Sequence, residues 1–404
     1  MKVADVVYRK DLYPRFKEDQ QTIQRYACAI DKLPPIKVNQ NNILIDGYHR
    51  LQAHVLNKIG EINADVITTE SEKQLKRLAY EYNSKHGMQL KTEEKSNFAK
   101  EMIDNMSAQE IASILSVTEK TVLLWTADKR KLIENQKNRD ILALYLHAEN
   151  TQQNIADAMD IPQQTIANKI LNFTENKQML EYGKISDPYI YNIWSLLKQT
   201  EDKDYFGAFP EKYMENLLYY HTNLFDIVYD PFAGSGTTID TCIKMNRRYY
   251  CSDINPYITR TEEIYQHDIT DGRVEKLSGV PDLVFLDPPY WKQAQNEYSN
   301  NPNDLGKLSL ENFYAVFNKF LKELIAWKVK KIAIVIMPTQ YNNNLVFEDH
   351  TLKFHEILFP KYEVEIRYNL PYSTQQYNAQ QVEKAKENNI SLSLFRDLTI
   401  WKLK

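Results

Sequence analysis

Long apolar runs are missing from this chain of 404 residues. No stretch of about 18 consecutive apolar residues occurs, so a membrane-spanning helix is not expected. The opening residues, Met1-Lys2-Val3-Ala4-Asp5, carry no apolar signal-peptide core, and a cytoplasmic location is expected. Cysteine is scarce. Cys28, Cys242 and Cys251 form neither a Cys-x-x-Cys pair nor an even framework, which argues against a disulfide scaffold and against structural zinc. No metal site is expected. Positive charge is not in excess either. The formal net charge is −4, so any face that meets a nucleic acid must be a local patch. Glycine is also rare, at 10 residues, which makes Gly234 and Gly236, two positions apart, conspicuous.

Hydrophobic residues make up 43% of the chain, enough to build the cores of two to three domains. Residues 1–70 read as a small α+β unit. Ile36–Val38 and Ile43–Ile45 are short strand-like runs around an Asn-rich turn, a helix follows from Arg50 to Lys58, and Ala64–Ile67 can close the sheet. Residues 71–174 read as helical, with apolar residues recurring at three and four. Two similar pieces lie there, Ser107–Val117 followed by Thr118–Trp125, and Thr151–Ile161 followed by Pro162–Ile170. Each reads as a helix, a tight turn and a second amphipathic helix. Ser116 and Asp160 stand where such turns usually carry Gly. Residues 175–204 read as a polar connector. Residues 205–404 alternate strand-like runs (225–229, 248–251, 283–286 and 332–336) with helices, the pattern of a doubly wound α/β domain.

Two segments of that last region carry chemistry. Asp230-Pro231-Phe232-Ala233-Gly234-Ser235-Gly236-Thr237-Thr238 follows a strand and opens a helix. Its glycines let backbone approach a ligand, and the helix N-terminus offers free N–H groups. Asp253 ends the next strand, where an acid can accept hydrogen bonds from ribose hydroxyls. Asp268, in His267-Asp268-Ile269, is placed near a nucleoside's adenine. The loop is neither Gly-x-Gly-x-x-Gly nor Gly-Lys-Ser/Thr, which disfavours dinucleotide binding and NTP hydrolysis. The second segment, Asp287-Pro288-Pro289-Tyr290, ends the apolar strand Leu283–Leu286. An exocyclic amine on a base is a poor nucleophile, because its lone pair is delocalised. A carboxylate and a carbonyl accepting its two N–H bonds favour the pyramidal nitrogen of the transition state. The prolines stiffen the turn, and Tyr290 and Trp291 offer stacking surfaces. Taken alone, the first segment is an ordinary glycine turn and the second a rigid proline turn with a helix-capping Asp.

On these motifs residues 205–404 resemble the S-adenosylmethionine-dependent DNA amino-methyltransferases. The resemblance implies a Rossmann-like fold and direct methyl transfer, with no covalent enzyme intermediate and no metal. It assigns Asp230, Pro231, Phe232, Ala233, Gly234, Ser235, Gly236, Thr237, Asp253 and Asp268 to the cofactor. Phe209-Pro210 resembles the family's Phe-Pro motif beside the methionine end. Asp287, Pro288, Pro289 and Tyr290 are assigned to catalysis. Asp at the first clamp position leans toward adenine N6, since Ser is more usual for cytosine N4. Many family members with this loop form carry the clamp first, so the resemblance does not place the target-recognition segment. Leu370–Ser373 with Thr374–Gln381, and Asn296–Asn303, are candidate loops over DNA, or plain surface loops. In the N-terminal region, Ile43–Ala53 resembles the ParB and sulfiredoxin-like fold. Gly47, His49 and Arg50 match its phosphate-binding turn, and Tyr48 replaces the sulfiredoxin cysteine. The turn is either a nucleotide site or a structural corner.

The expected whole is an α/β chain, a Rossmann-like methyltransferase domain preceded by a small α+β ParB-like domain and a helix-turn-helix region. Expected partners are double-stranded DNA and, at the N-terminal domain, CTP or another nucleotide, with a homodimer left open. Lys120, Lys129, Arg130, Lys131, Lys137 and Arg139 are candidate phosphate contacts. Alternatives are an N4-cytosine or RNA amino-methyltransferase, and a ParB-like DNA-binding regulator with an inactive methyltransferase domain. A phage or mobile element would suit this combination of domains.

Overall fold

The computed structural model describes residues 1–12, 18–85, 90–175, 187–195, 209–274, 277, 279–291, 303–341, 346–372 and 377–404. Most of the expected connector, residues 296–302 of the Asn-rich stretch, and residues 373–376 of the polar run lie outside them. The chain divides into two compact units, Met1–Lys137 and Asn138–Lys404.

In the first unit α1 (Gln20–Ala27) precedes β1 (Ile36–Asn39), β2 (Leu44–Asp46), α2 (Tyr48–Leu56) and β3 (Ala64–Ile67). The strands form a sheet in the order β2-β1-β3, antiparallel then parallel. Helices α3 (Glu72–Lys85), α4 (Thr92–Met102), α5 (Ala108–Leu115) and α6 (Glu119–Trp125) follow. They share a core of Tyr80, Phe98, Ile111, Leu115 and Val122. Helix α7 (Ala127–Leu146) crosses into the second unit, where α8 (Gln152–Met159) and α9 (Gln163–Glu175) form the second helical pair.

Both pairs turn alike. Ser116 (φ 50°, ψ 53°) and Asp160 (φ 51°, ψ 50°) end their first helices in the left-handed region. Thr118 caps the second helix of the first pair, and Thr151 caps the first helix of the second. The turn geometry that usually selects glycine is therefore built twice without it. An L-residue is strained there by about 1–2 kcal/mol, and Gly is the usual solution. Asp160→Gly is expected to raise stability by about 1 kcal/mol, read as a higher urea midpoint of its unit.

The second unit continues with α10 (Glu211–His221), β4 (Ile227–Asp230), α11 (Thr237–Lys244), β5 (Arg248–Asp253), β6 (Ile264–Gln266), β7 (Leu283–Leu286), α12 (Leu310–Trp327) and β8 (Lys331–Ile336). A hairpin of β9 (Thr339–Tyr341) and β10 (Val346–Glu348), then α13 (His350–Leu358), β11 (Tyr362–Pro371), α14 (Ala379–Glu387) and β12 (Phe395–Leu403) complete it. The main sheet has seven strands in the order β11-β12-β8-β7-β4-β5-β6. Its members from β8 to β6 are parallel, while β12 runs antiparallel to both neighbours.

Alternate residues of the central strands serve opposite faces, the period-2 rule of a pleated strand. Val228, Leu283, Phe285, Ala333 and Val335 join one core with Tyr213 and Leu217 of α10, Ile239 of α11, and Ile155, Ile166 and Ile170 of the second helical pair. Tyr229, Val284, Leu286, Ile332, Ile334 and Ile336 join the other, under Phe313, Phe317 and Leu321 of α12 and Phe354 of α13. Burying each such side chain contributes about 1.5–3 kcal/mol. Covered on both faces, β7 and β8 read as continuous apolar runs and not as alternating ones.

The second helical pair is thus part of the sheet's own core. Arg248, on β5, fixes the approach to it. Its guanidinium donates to the carbonyls of Tyr145 (2.9 Å) and Asn150 (2.9 Å). One expectation changes here. Leu370 and Pro371 are no loop over DNA, because they end β11, and Leu370 is fully buried.

Candidate active site

Strand order reverses at β4, with β5 and β6 on one side and β7 and β8 on the other. Ligands of open α/β sheets bind outside the carboxyl ends of the strands at such a point. β4 and β7 are adjacent and parallel, with Val228 opposite Leu283 and Tyr229 opposite Val284. Asp230 closes the first strand and Asp287 follows the second, so both reach the same crevice. A cavity of about 880 Å³ lies there.

The loop after β4 is organised by the acid that starts it. Asp230 is buried and accepts from the Phe232 N–H (2.9 Å) and from the Thr238 hydroxyl. Burial pushes its carboxyl up to about 7, against the pull of those two donors. Gly234 (φ 50°) and Gly236 (φ 92°) carry the turn into α11. The Gly236 N–H donates to the Ala233 carbonyl at 2.8 Å. Asp253, at the end of β5, accepts from the N–H groups of Gly234 (3.0 Å) and Asn255 (2.8 Å), and burial raises its pKa. Its two oxygens still have lone pairs for a diol.

Of the residues assigned to the cofactor by sequence, Phe209, Asp230 to Ser235, Thr237, Asp253 and Asp268 line the cavity. Pro210 instead caps α10, where its fixed φ of −62° starts the helix. Asp268 accepts from Asn303 (2.8 Å) and from the Thr270 N–H (2.9 Å). Sequence reasoning missed Ile254, Phe285, Asn303, Asp304 and Leu305 in the lining. Phe285 lies on β7, where an apolar strand residue carries no signal of which face meets a ligand.

The lining includes five aspartates, at 230, 253, 268, 287 and 304, and no lysine or arginine among the described residues. Such a cavity repels phosphates. It favours a ligand bearing cationic groups, a nucleoside sulfonium with an amino acid tail among them. The residues present therefore fit S-adenosylmethionine better than NAD or ATP.

At the β7 end, Asp287 and Pro289 line the cavity. Asp287 keeps part of its surface open, yet protein surrounds it. Burial drives its carboxyl up to about 6, against the opposing pull of Arg396 and of a hydrogen bond from Tyr290. The Tyr290 hydroxyl donates to Asp287 Oδ1 at 3.0 Å, and its ring is buried. Trp291 is not a stacking platform. It lies 4% exposed in the core, and its indole N–H donates to the Leu308 carbonyl at 2.9 Å.

In the first unit, Gly47 (φ 107°) opens α2, and a Cβ there would lie 2.7 Å from Ile36 Cγ2. His49 Nε2 accepts from the Asp19 N–H at 3.3 Å. Arg50 spends its donors internally, on the Pro34 (2.9 Å) and Pro35 (2.6 Å) carbonyls and on Asp46 (2.7 Å). These three bonds tie the guanidinium to the fold around the turn.

A family model described as DNA methylase, N6_N4_Mtase, matches residues 40–263. The chain belongs to this DNA methylase family. The match includes the glycine loop and Asp253 and ends before Asp287. Orphan methyltransferase M.BamHII of Bacillus amyloliquefaciens is 40% identical over 72 residues, 16% of this chain and 27% of that protein. Type II methyltransferase M.MjaII of Methanocaldococcus jannaschii is 42% identical over 73 residues, 18% of this chain and 14% of that protein. The chain thus matches about a quarter or less of the length of these curated relatives. Among solved structures, a C-terminally truncated chromosome-partitioning protein ParB from Caulobacter crescentus, complexed to the parS site, is similar at 13% identity and a TM-score of 0.26. That similarity covers 43% of this chain and 91% of that one. As a member of the family the chain takes S-adenosylmethionine as its cofactor. No helix among the described residues is long and apolar enough to cross a membrane.

Proposed function

We propose that this chain methylates the exocyclic N6 of adenine in double-stranded DNA at a specific sequence. The observation that carries the proposal is the pairing of β4 with β7, which brings the glycine loop and the Asp287 turn to one acidic crevice. S-adenosylmethionine supplies an electrophilic methyl group there. Asp253 holds the ribose, Asp268 the adenine end, and Phe209 packs beside the methionine end.

The Asp287 carboxylate and the Pro288 carbonyl accept the two N–H bonds of the target amine. That holds the nitrogen lone pair toward the methyl group. With a pKa near 6, Asp287 is anionic at pH 8, yet basic enough to hold the proton the amine gives up. The base must leave the duplex, which costs about a few kcal/mol, and the Tyr290 ring is the surface that offsets this. Tyr290 is buried with its hydroxyl on Asp287, so its ring has to be uncovered before a base can stack on it.

The helical pairs supply the hold on DNA. In α9, Gln163, Gln164 and Asn168 are exposed while Ile166 and Ile170 anchor the helix in the sheet's core. Gln and Asn side chains suit adenine edges in the major groove. In α7, Lys129 is tied to Asp104, whereas Arg130, Lys131 and Arg139 are exposed. Arg130→Ala and Arg139→Ala are each expected to lower DNA affinity and to reduce the salt slope by about one unit. An unchanged slope in both removes α7 from the interface. The Lys129→Ala slope is expected to change less.

The activity is tested by incubating the protein with DNA and methyl-labelled S-adenosylmethionine, digesting to nucleosides and separating them. Label in N6-methyl-2′-deoxyadenosine is expected. Label in N4-methyl-2′-deoxycytidine would move the target to the other amine, label only on added RNA would change the substrate class, and no label would refute the activity.

A further inference from the structure

Arg396, on β12, belongs to no motif, and its setting calls for a role. It is 6% exposed, and its Nε finds no acceptor among the described residues. Its guanidinium carbon lies 5.0 Å from the centre of the Tyr372 ring and 5.7 Å from that of Phe209. A buried guanidinium with an unused donor is costly, and folds keep one where its charge is needed. The charge here faces the clamp. Tyr290 hydrogen-bonds to Arg396 and donates to Asp287, so the three groups form one chain.

We propose that Arg396 is a positioning residue for methyl transfer. Clamped between the Phe209 and Tyr372 rings, it fixes the Tyr290 hydroxyl and keeps Asp287 a bare carboxylate that can accept the amine's N–H bonds. A protonated Asp287 would turn one oxygen into a donor and lose half of its grip on the amine.

The groups acting on Asp287 come from every side. Asp230 approaches from the end of β4, Tyr290 from its own turn, Tyr372 from beyond β11 and Arg396 from β12. Asp253, Asp268, Asp304 and His267 line the rest of the cavity. Of the described residues acting on Asp287, Arg396 is the cation. The carboxylates around it all favour protonation of their neighbours, so without Arg396 nothing among these groups opposes burial except the Tyr290 hydrogen bond.

The inference rests on the methyltransferase reading, and its test separates the two. In the full chain, the Asp287 carboxyl is titrated by carbon-13 NMR, with its signal assigned by loss in Asp287→Asn. Arg396→Met is expected to move the midpoint up by about 1–3 pH units, and the acid limb of kcat should move with it. Arg396→Lys, which keeps the charge, should hold the midpoint near that of the wild type. If Arg396→Met does not fold, Arg396→Gln, neutral and polar, takes its place. An unmoved midpoint, or an activity loss of the same factor at every pH, overturns the positioning role. A shifted midpoint in a protein that methylates nothing keeps the electrostatic coupling and overturns the methyltransferase reading instead.

Discussion

Asp287→Ala is expected to lower kcat for methyl transfer on the order of 10³-fold or more, while affinity for S-adenosylmethionine stays within a few-fold of the wild type. The carboxylate acts on the amine and not on the nucleoside end of the cavity, where Asp253 and the loop N–H groups sit. A structural role would show itself differently. Asp287 is an acid enclosed by protein whose folded pKa, about 6, lies above its unfolded value. Such a group costs stability increasingly as pH rises from the unfolded pKa through the folded one, and the cost is complete above about pH 6. Removing it should therefore leave the thermal midpoint unchanged or higher at pH 8, with no gain at pH 4. Lost activity in an equally stable, cofactor-binding protein identifies the clamp. An active variant refutes it. The same ionisation gives the wild type an activity that rises with pH through about 6. Asp230, raised to about 7 and coupled to Asp287, makes the observed midpoint a property of the pair.

Gly236→Val should give the opposite pattern, with cofactor affinity reduced about 100-fold and the clamp intact. At φ 92° an L side chain is strained whatever the space around it. Here a Cβ would also fall 2.1 Å from Arg260 Nη1. That guanidinium cannot simply swing aside. It donates to the carbonyls of Ser235 (3.2 Å) and Gly236 (3.1 Å) and pairs with Asp240 and Glu263. Relief requires the loop to move, and the loop's N–H groups move with it. Cofactor affinity measured by titration calorimetry checks this. An unchanged affinity would mean that the turn into α11 is not part of the cofactor site.

The parts of the site that the sequence displayed are those where backbone geometry selects residue type. The glycines at positive φ, the acid that closes β4 and the proline turn after β7 fall into this class. The parallel strands were legible because burial on both faces leaves runs such as Leu283–Leu286. Strand β12 was not, because Arg396 and Asp397 interrupt its apolar run. Asp397 is fully buried with Arg367, on the neighbouring strand, donating to it at 2.8 Å and Thr351 at 3.4 Å. A polar pair across a sheet has no signature along one strand. The influence of Arg396 on Asp287 was hidden for the same reason, since 109 residues separate groups that only the sheet order brings near one another. Trp291 looked like a platform from its place after Tyr290, but its indole N–H had a carbonyl to find in the core. Arg50 matched a phosphate-binding turn in sequence, while the acceptors that occupy it are backbone carbonyls, which sequence does not mark.

The most direct measurement is sequencing of DNA from cells expressing the full chain, with detection of modified bases and the Asp287→Ala variant as its pair. The account predicts N6-methyladenine at one recurring sequence in the wild type and none in the variant. Unmodified DNA in the wild type, or the same modification in the variant, would contradict it.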